Sequence, residues 1–331
     1  MSLPLGSTEL DEILTPRLEI VEERLRDAVG QADSLADSTS KHLVNAGGKR
    51  LRPMLTLLTA QLGDGARPEI VEASVVVELT HLATLYHDDV MDSAPTRRGA
   101  PAAHEVWGNS VAILTGDLLF ARASRVVAGL GPEAVRIQAQ TFERLCLGQL
   151  HETVGPQEGD DPVEHYIQVL ADKTGSLIAT SARFGALFAG CDPMTVERVT
   201  RYGELAGVAF QLADDVIDVR SSAEETGKTP GTDLREGVPT MPVLLLRERI
   251  AAGRGTADDE KLLADIDGDL TSDEALADVV GRLAVHSVVD ETSAKAREWA
   301  VRASESVAPL PDGAVKDALN SFADALVARA A

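Results

Sequence analysis

Two stretches carry the residue types and spacings most specific for chemistry. His81 to Asp92 reads His-Leu-Ala-Thr-Leu-Tyr-His-Asp-Asp-Val-Met-Asp, and Phe210 to Asp218 reads Phe-Gln-Leu-Ala-Asp-Asp-Val-Ile-Asp. Each closes an apolar helical run with Asp-Asp-x-x-Asp. In an α-helix positions i and i+4 share a face, so Asp88 and Asp92 project together, as do Asp214 and Asp218, while Asp89 and Asp215 add a third carboxylate to each cluster. Like charges this close cost helix stability unless a cation compensates them. Mg²⁺ takes hard oxygen ligands and is commonly held by one or two carboxylates plus substrate phosphates. The spacing therefore predicts a cage for a metal-bound diphosphate, with Mn²⁺ as an alternative ion. A solvated acidic face is the plainer reading of one such cluster. Its occurrence twice, each time after residues that should bury the helix, argues against that reading.

A diphosphate also needs cations. Gly47-Gly48-Lys49-Arg50-Leu51-Arg52-Pro53 turns tightly on its glycines and enters a helix at Pro53, gathering Lys49, Arg50 and Arg52 where helix N–H groups also favour an anion. His81 precedes Asp88 by about two turns and shares its face. Arg97 and Arg98 follow in a loop after Asp92, and Arg suits bidentate phosphate contacts. Gln211 stands one turn before Asp214 on the same stripe. Lys173-Thr174-Gly175 is a soft spot inside a helical run, where freed carbonyls can face a cavity. Gly227-Lys228 lies in a Gly- and Thr-rich segment, Ser221 to Pro239, that reads as a flap closing over phosphates. Asp117, Gln149 and Glu152 are weaker candidates.

The elements that must position these residues read as helix after helix, with apolar positions recurring at three and four residues and no period-two strand run. Leu10 to Val29 forms a first helix, and a second ends near Asn45. Pro68 opens the helix that delivers the first acid cluster, Asn109 caps another, Pro132 begins the next, and Asp192-Pro193 starts the one that delivers the second cluster. Helices continue beyond Pro242.

At 331 residues with 44% hydrophobic content the chain can bury a deep core. A net charge of −22 disfavours nucleic acid or an anionic membrane as partner. Cys146 and Cys191 match no metal or redox spacing and read as buried small hydrophobes in a reducing cytoplasm. No stretch approaches the roughly 20 apolar residues of a membrane span, and stable membrane insertion is not expected. The first residues lack a signal-peptide pattern, and Met1 to Leu3 read as an expression scar.

Taken together, Gly-Gly-Lys-Arg-Leu-Arg-Pro at 47 to 53, Leu-Tyr-His-Asp-Asp-Val-Met-Asp at 85 to 92, Arg-Arg-Gly at 97 to 99, Lys-Thr at 173 to 174 and the block at 210 to 218 resemble the trans-isoprenyl diphosphate synthases, or polyprenyl synthetases. The resemblance implies an all-α fold, one domain over residues 1–331 whose helices surround a deep central cavity with the acid clusters facing each other across its mouth. It implies a homodimer. It also implies head-to-tail condensation of isopentenyl diphosphate onto an allylic diphosphate. Lys49, Arg52, His81 and Arg98 would bind isopentenyl diphosphate. Arg97, Lys173, Thr174, Gln211 and Lys228 would hold the allylic diphosphate, and Asp88, Asp92 and Asp214 would be the main Mg²⁺ ligands, joined by Asp89, Asp215 and Asp218. After Arg235-Glu236-Gly237, where many relatives carry Lys, this chain has Val238.

Product length would be set below the first cluster. Thr84 lies one turn, about 6 Å, before Asp88, Thr80 another turn below and Ala83 beside them. Synthases of this kind that stop early block the region with Phe or Tyr. The small residues here predict a medium or long product, roughly six to ten isoprene units or about C30 to C50, of quinone side-chain type. Ala83→Phe should shorten it. The alternatives are a short-chain farnesyl or geranylgeranyl diphosphate synthase, a class I terpene cyclase, a non-catalytic subunit of a heteromeric synthase and an inert metal-binding scaffold. A cyclase usually has a different second motif and lines its cavity with aromatics, which make up 3% of this chain. The intact clusters argue against a non-catalytic subunit, and the basic motifs against a scaffold.

Overall fold

The computed structural model describes residues 7–221 and 230–328. In chain order its elements are α1 Thr8–Val29, α2 Ser34–Asn45, α3 Leu51–Ala60, α4 Glu69–Met91, the strands β1 Thr96–Arg97 and β2 Ala100–Pro101, α5 Ala103–Trp107, α6 Asn109–Ala128, α7 Pro132–Val154 and α8 Pro162–Leu170. A π-helical turn, Ala171–Gly175, leads into α9 Ser176–Phe188 and α10 Pro193–Arg220. Then come α11 Thr232–Arg235, α12 Met241–Ala251, α13 Ala257–Ile266, α14 Asp273–Ala284, α15 Ser287–Val307 and α16 Ala314–Ala328. The fold is all-α.

Local chemistry explains most boundaries. The Asp33 carboxylate accepts from Ala36 N at 2.9 Å, Asp161 from Val163 N and Glu164 N, and Asp192 from Met194 N and Thr195 N, so each caps the helix that follows. Asn109 does not cap α6 as expected. It is the first helical residue, and the cap is Gly108, whose φ of 83° favours glycine. The hairpin β1–β2 was also not expected. Its two strands are only two residues long, too short for a periodic signal, and its loop Arg98-Gly99 has positive φ at both positions, as a primed turn requires, without an Asn or Asp to announce it.

The chain forms two compact units: residues up to Cys146 with Ser176–Glu204 and Glu305–Phe322, and Leu147–Gly175 with Leu205–Ser304 and the residues from Ala323. In the first unit α4 is the axis. Helices α1, α3, α6 and α9 all pack against it, and nearly every residue from Ala73 to Ala83 is buried, which is why its sequence is apolar all round rather than striped. Val76 and Val77 join Ile137, Leu145, Leu177 and Phe184 in one apolar cluster. Helix α9 lies close to α3 because Gly185 presents no side chain to the Thr56 carbonyl, and the Thr56 and Thr59 hydroxyls donate across to the Ser181 and Ala182 carbonyls at 3.0 Å. In the second unit α12 packs on α8 and α13, and α13 on α14. There Thr256 and Asp259 form a reciprocal capping box at the start of α13.

The cysteines depart from expectation. Cys146 is exposed and Cys191 half-buried, because α7 turns Cys146 away from the face that carries Ile137 and Leu145 into the core. Among the described residues no helix is long and apolar enough to cross a membrane.

Candidate functional site

Helix α4 ends on its acids. Asp88 and Asp89 fall in its last turn, Asp92 caps it with its N–H donating to the Asp88 carbonyl at 2.8 Å, and the last turn holds no basic residue. A helix C-terminus carries partial negative charge, so carboxylates there sit at the unfavourable pole and call for a cation. The three do not play one part. Asp89 is fully buried and accepts from Arg97 Nε at 2.6 Å and Nη2 at 2.5 Å, so these two charges compensate each other inside the protein. Asp88 is half-buried and Asp92 exposed.

The basic loop is likewise divided. Lys49 is exposed and Arg52 is partly buried in the first turn of α3. Arg50, expected beside them, points the other way. Its side chain is 3% exposed and donates to Glu22 of α1, Glu78 of α4 and the carbonyls of Val44 and Gly47. Arg98 donates to the Leu43 carbonyl at 3.1 Å and also to the Gly47 carbonyl, which brings the hairpin loop onto the Gly47-Gly48 turn. Burial pulls the Arg52 guanidinium down to about 10; the Arg98 cation adds to that, and the Glu78 and Asp88 carboxylates oppose it. His81 is held well below its ordinary value, first by burial and then by the cations of Arg52, Arg98, Arg97 and Arg50. At neutral pH it is an uncharged imidazole within a concentration of positive charge. His81, Arg52 and Arg98 are thus brought together.

The residues assigned to product length differ among themselves. Thr80 and Ala83 are fully buried, and only Thr84 keeps accessible surface. Both hydroxyls are bonded within α4, Thr80 to the Val76 carbonyl and Thr84 to the His81 carbonyl, each at 2.8 Å, leaving their methyl groups to the surroundings. Ala83 is packed against its neighbours, so a Phe there would meet side chains before it met a product.

In the second unit Lys173, Thr174 and Gly175 fall in the π-helical turn, the predicted soft spot. Such bulges recur at functional sites because they re-aim side chains and loosen the carbonyl ladder. Lys173 is ion-paired with Glu152, one of the weaker candidates. On α10, Gln211, Asp214 and Asp218 are half-buried, whereas Asp215 is buried. Its two oxygens accept from the Tyr166 hydroxyl at 3.0 Å each, and one accepts from Met241 N at 3.1 Å. Burial raises the Asp215 carboxyl well above the usual range, the Met241 N–H works against this, and Asp233 and Asp214 push it further up. Asp215 therefore ties α8 to the start of α12, a task sequence spacing did not suggest. Arg220 in the last turn of α10 is turned to Asp290 at 2.6 Å and to the Ala284 carbonyl. The Gly231 N–H donates to the Asp218 carbonyl at 2.9 Å. Val238 lines a cavity of about 390 Å³ whose walls are mixed, with Leu234, Val243 and Leu270 beside Arg235, Arg247 and Asp269. Lys228 lies outside the described residues.

Among the described residues no three His, Cys, Asp or Glu side chains converge as a ready-made ion cage. The remaining donors still fit a hard divalent cation. Asp88 with Asp92 and Asp214 with Asp218 are all-oxygen pairs, each a partial ligand set of the kind Mg²⁺ shares with phosphate and water.

Comparison with known proteins bears on this arrangement. Residues 33–280 match the family model for polyprenyl synthetase. Among curated relatives, the nonaprenyl diphosphate synthase of Mycobacterium tuberculosis is 45% identical over 313 residues, covering 93% of this chain and 91% of its own. A polyprenyl synthase from Caulobacter crescentus, solved with calcium and isoprenyl diphosphate, superposes with a TM-score of 0.89 at 30% identity, covering 100% of this chain and 99% of its own. Geranylgeranyl pyrophosphate synthase from Corynebacterium glutamicum, also solved with calcium and isoprenyl diphosphate, gives 0.85 at 40% identity and 98% coverage of both chains.

Proposed function

The chain belongs to the polyprenyl synthetase family, and from that premise we propose that it is a prenyltransferase joining isopentenyl diphosphate head-to-tail to an allylic diphosphate, with an all-trans polyprenyl diphosphate as product. The observation that carries the proposal is the ending of α4: carboxylates at the negative pole of a helix, beside a group of cationic side chains around a neutral His81. An acid end next to a basic cluster suits a diphosphate bridged by a divalent cation.

In this reading Lys49, Arg52, His81 and Arg98 bind the diphosphate of isopentenyl diphosphate. Arg97, Lys173, Thr174 and Gln211 serve the allylic diphosphate. A guanidinium has five N–H donors, so Arg97 can keep Asp89 and still meet a phosphate, while Lys173 exchanges Glu152 for its ligand. Mg²⁺ held by Asp88, Asp92 and Asp214 would neutralise charge on the departing diphosphate. Asp89 and Asp215 hold protein groups and serve the site by keeping α4 and α10 in place, and Asp218 is a subsidiary ligand. The allylic C–O bond breaks, the double bond of isopentenyl diphosphate attacks the resulting cation through C4, and a proton is lost to give the trans alkene. The released diphosphate can accept that proton. The basic residues supply orientation, and the apolar surroundings exclude water that would capture the cation.

The nonaprenyl relative and the absence of Phe or Tyr at positions 80, 83 and 84 favour a medium or long product. The 40% identity to a geranylgeranyl synthase favours a shorter one, and of the three positions Thr84 is the one open to influence it. We further read the chain as one polyprenyl synthetase domain, acting as a cytoplasmic homodimer. Incubation of the purified protein with isopentenyl and farnesyl diphosphates and Mg²⁺, followed by mass spectrometry, tests the proposal. A ladder of prenyl diphosphates ending between about C30 and C50 is expected. A cyclic hydrocarbon, or no extension, would refute it.

A further inference from the structure

Arg50 lies in sequence between two residues assigned to substrate, yet none of the hydrogen-bonding capacity of its guanidinium is left for one. Its Nε donates to Glu22 at 2.5 Å. Its Nη1 donates to Glu78 at 2.8 Å and to the Gly47 carbonyl at 3.3 Å, and its Nη2 to the Val44 carbonyl at 3.2 Å and Glu22 at 3.3 Å. Those contacts use all five donors of the side chain. Both the arginine and Glu78 are almost completely buried, and the Arg50 backbone is left-handed, with φ of 49° and ψ of 38°. Among the described residues the other non-glycine positions with positive φ are Ser93 and Arg98, in the loop after the first acid cluster and in the hairpin. The uncommon backbone conformations therefore gather at the site, each in need of contacts that hold it.

We propose that Glu78, assisted by Glu22, is a positioning residue for diphosphate binding: through Arg50 it locks the Gly47–Arg52 turn in the conformation that presents Lys49 and Arg52, without touching substrate. Glu78 lies one turn before His81 on α4, so one helix carries both a residue of the cationic site and the carboxylate that anchors the loop facing it. It is also a buried negative charge among Arg50, Arg52 and Arg98, and helps keep these cations in place before an anion arrives. A charge-neutral, near-isosteric change should leave the helix intact and release the loop.

The inference rests on the prenyltransferase reading, and two measurements separate their failures. In steady-state assays Glu78→Gln is expected to raise KM for isopentenyl diphosphate about tenfold, with kcat and the KM of the allylic substrate within about twofold. Glu22→Gln, at a partly exposed position, should move the same constant in the same direction by less, and serves if Glu78→Gln folds poorly. In magnesium-free calorimetry with inorganic pyrophosphate, Glu78→Gln should bind about tenfold more weakly than the unsubstituted protein. Unchanged KM and pyrophosphate affinity in both variants would overturn the inference, as would a fall in kcat alone. An unsubstituted protein that elongates nothing but binds pyrophosphate in a Glu78-dependent way would overturn the prenyltransferase reading and keep the positioning role.

Discussion

Gly48 has no side chain because the Arg98 guanidinium occupies the space where one would be: a Cβ there would stand 2.8 Å from the guanidinium carbon, at a φ of 147° that itself favours glycine. Gly48→Ala should therefore displace Arg98 and strain the turn, at a cost of about 1–3 kcal/mol in stability, and raise KM for isopentenyl diphosphate; thermal melts and initial-rate kinetics check both. His81 gives a pH-dependent outcome with a definite sign. Its folded value is depressed below that of the unfolded chain, so the folded form binds fewer protons. The stability this represents is complete above the unfolded value of about 6.5 and is lost as the pH falls below it. Between pH 7 and pH 5 the melting temperature of His81→Gln should fall less than that of the unsubstituted protein. Equal slopes would mean that the imidazole is not the group responsible.

At the scale of elements, the π-helical turn and α4 carry the sharpest expectations. Deleting Thr174 would return Ala171–Gly175 to a regular α-helical register and rotate Lys173 away from its present direction. Elongation should drop by at least about a hundredfold while far-ultraviolet circular dichroism stays nearly unchanged, since one turn is a small share of the helix content. On α4, Thr84→Phe should shorten the product at little cost to folding, whereas Ala83→Phe enters a packed position and should lower stability by about 1–3 kcal/mol; product mass spectra and denaturant titrations distinguish the two. These elements also mark what sequence alone can and cannot resolve. The start of α10 was legible at Asp192-Pro193, because a short polar side chain capping its own helix leaves a signal within three residues; Asp33 and Asp161 cap in the same way but were not singled out. The hairpin and the Gly108 cap were not legible, because strands of two residues leave no periodic signal and a lone glycine does not say by itself that it caps a helix. The π turn was legible only as weakness at Lys173-Thr174-Gly175.

For the whole molecule, chemistry proved easier to read than orientation. The acid and basic blocks were evident in the chain, and their membership of one family follows from them. Which member of each block faces inward was not, because Arg50 is claimed by Glu22 and Glu78, each 28 residues distant, and Asp215 by a tyrosine 49 residues away. Cys146 was misjudged for a related reason: an apolar neighbourhood in sequence does not say which side of a helix is covered. With a net charge of −22 the protein as a whole repels an anionic substrate, so binding depends on the local cations and on a divalent ion. Mg²⁺ and inorganic pyrophosphate together should raise the melting temperature more than the sum of their separate effects, since each completes the partial ligand set of the other. Chelation with EDTA should abolish elongation, and restored Mg²⁺ should recover it. One oxygen atom has a wider reach than its size suggests. The Gly47 carbonyl accepts from both Arg50 and Arg98, one committed to the interior and one assigned to the ligand. Substitutions at these two arginines will therefore show epistasis, and any attempt to retune the hairpin by directed evolution will have to change the glycine turn with it.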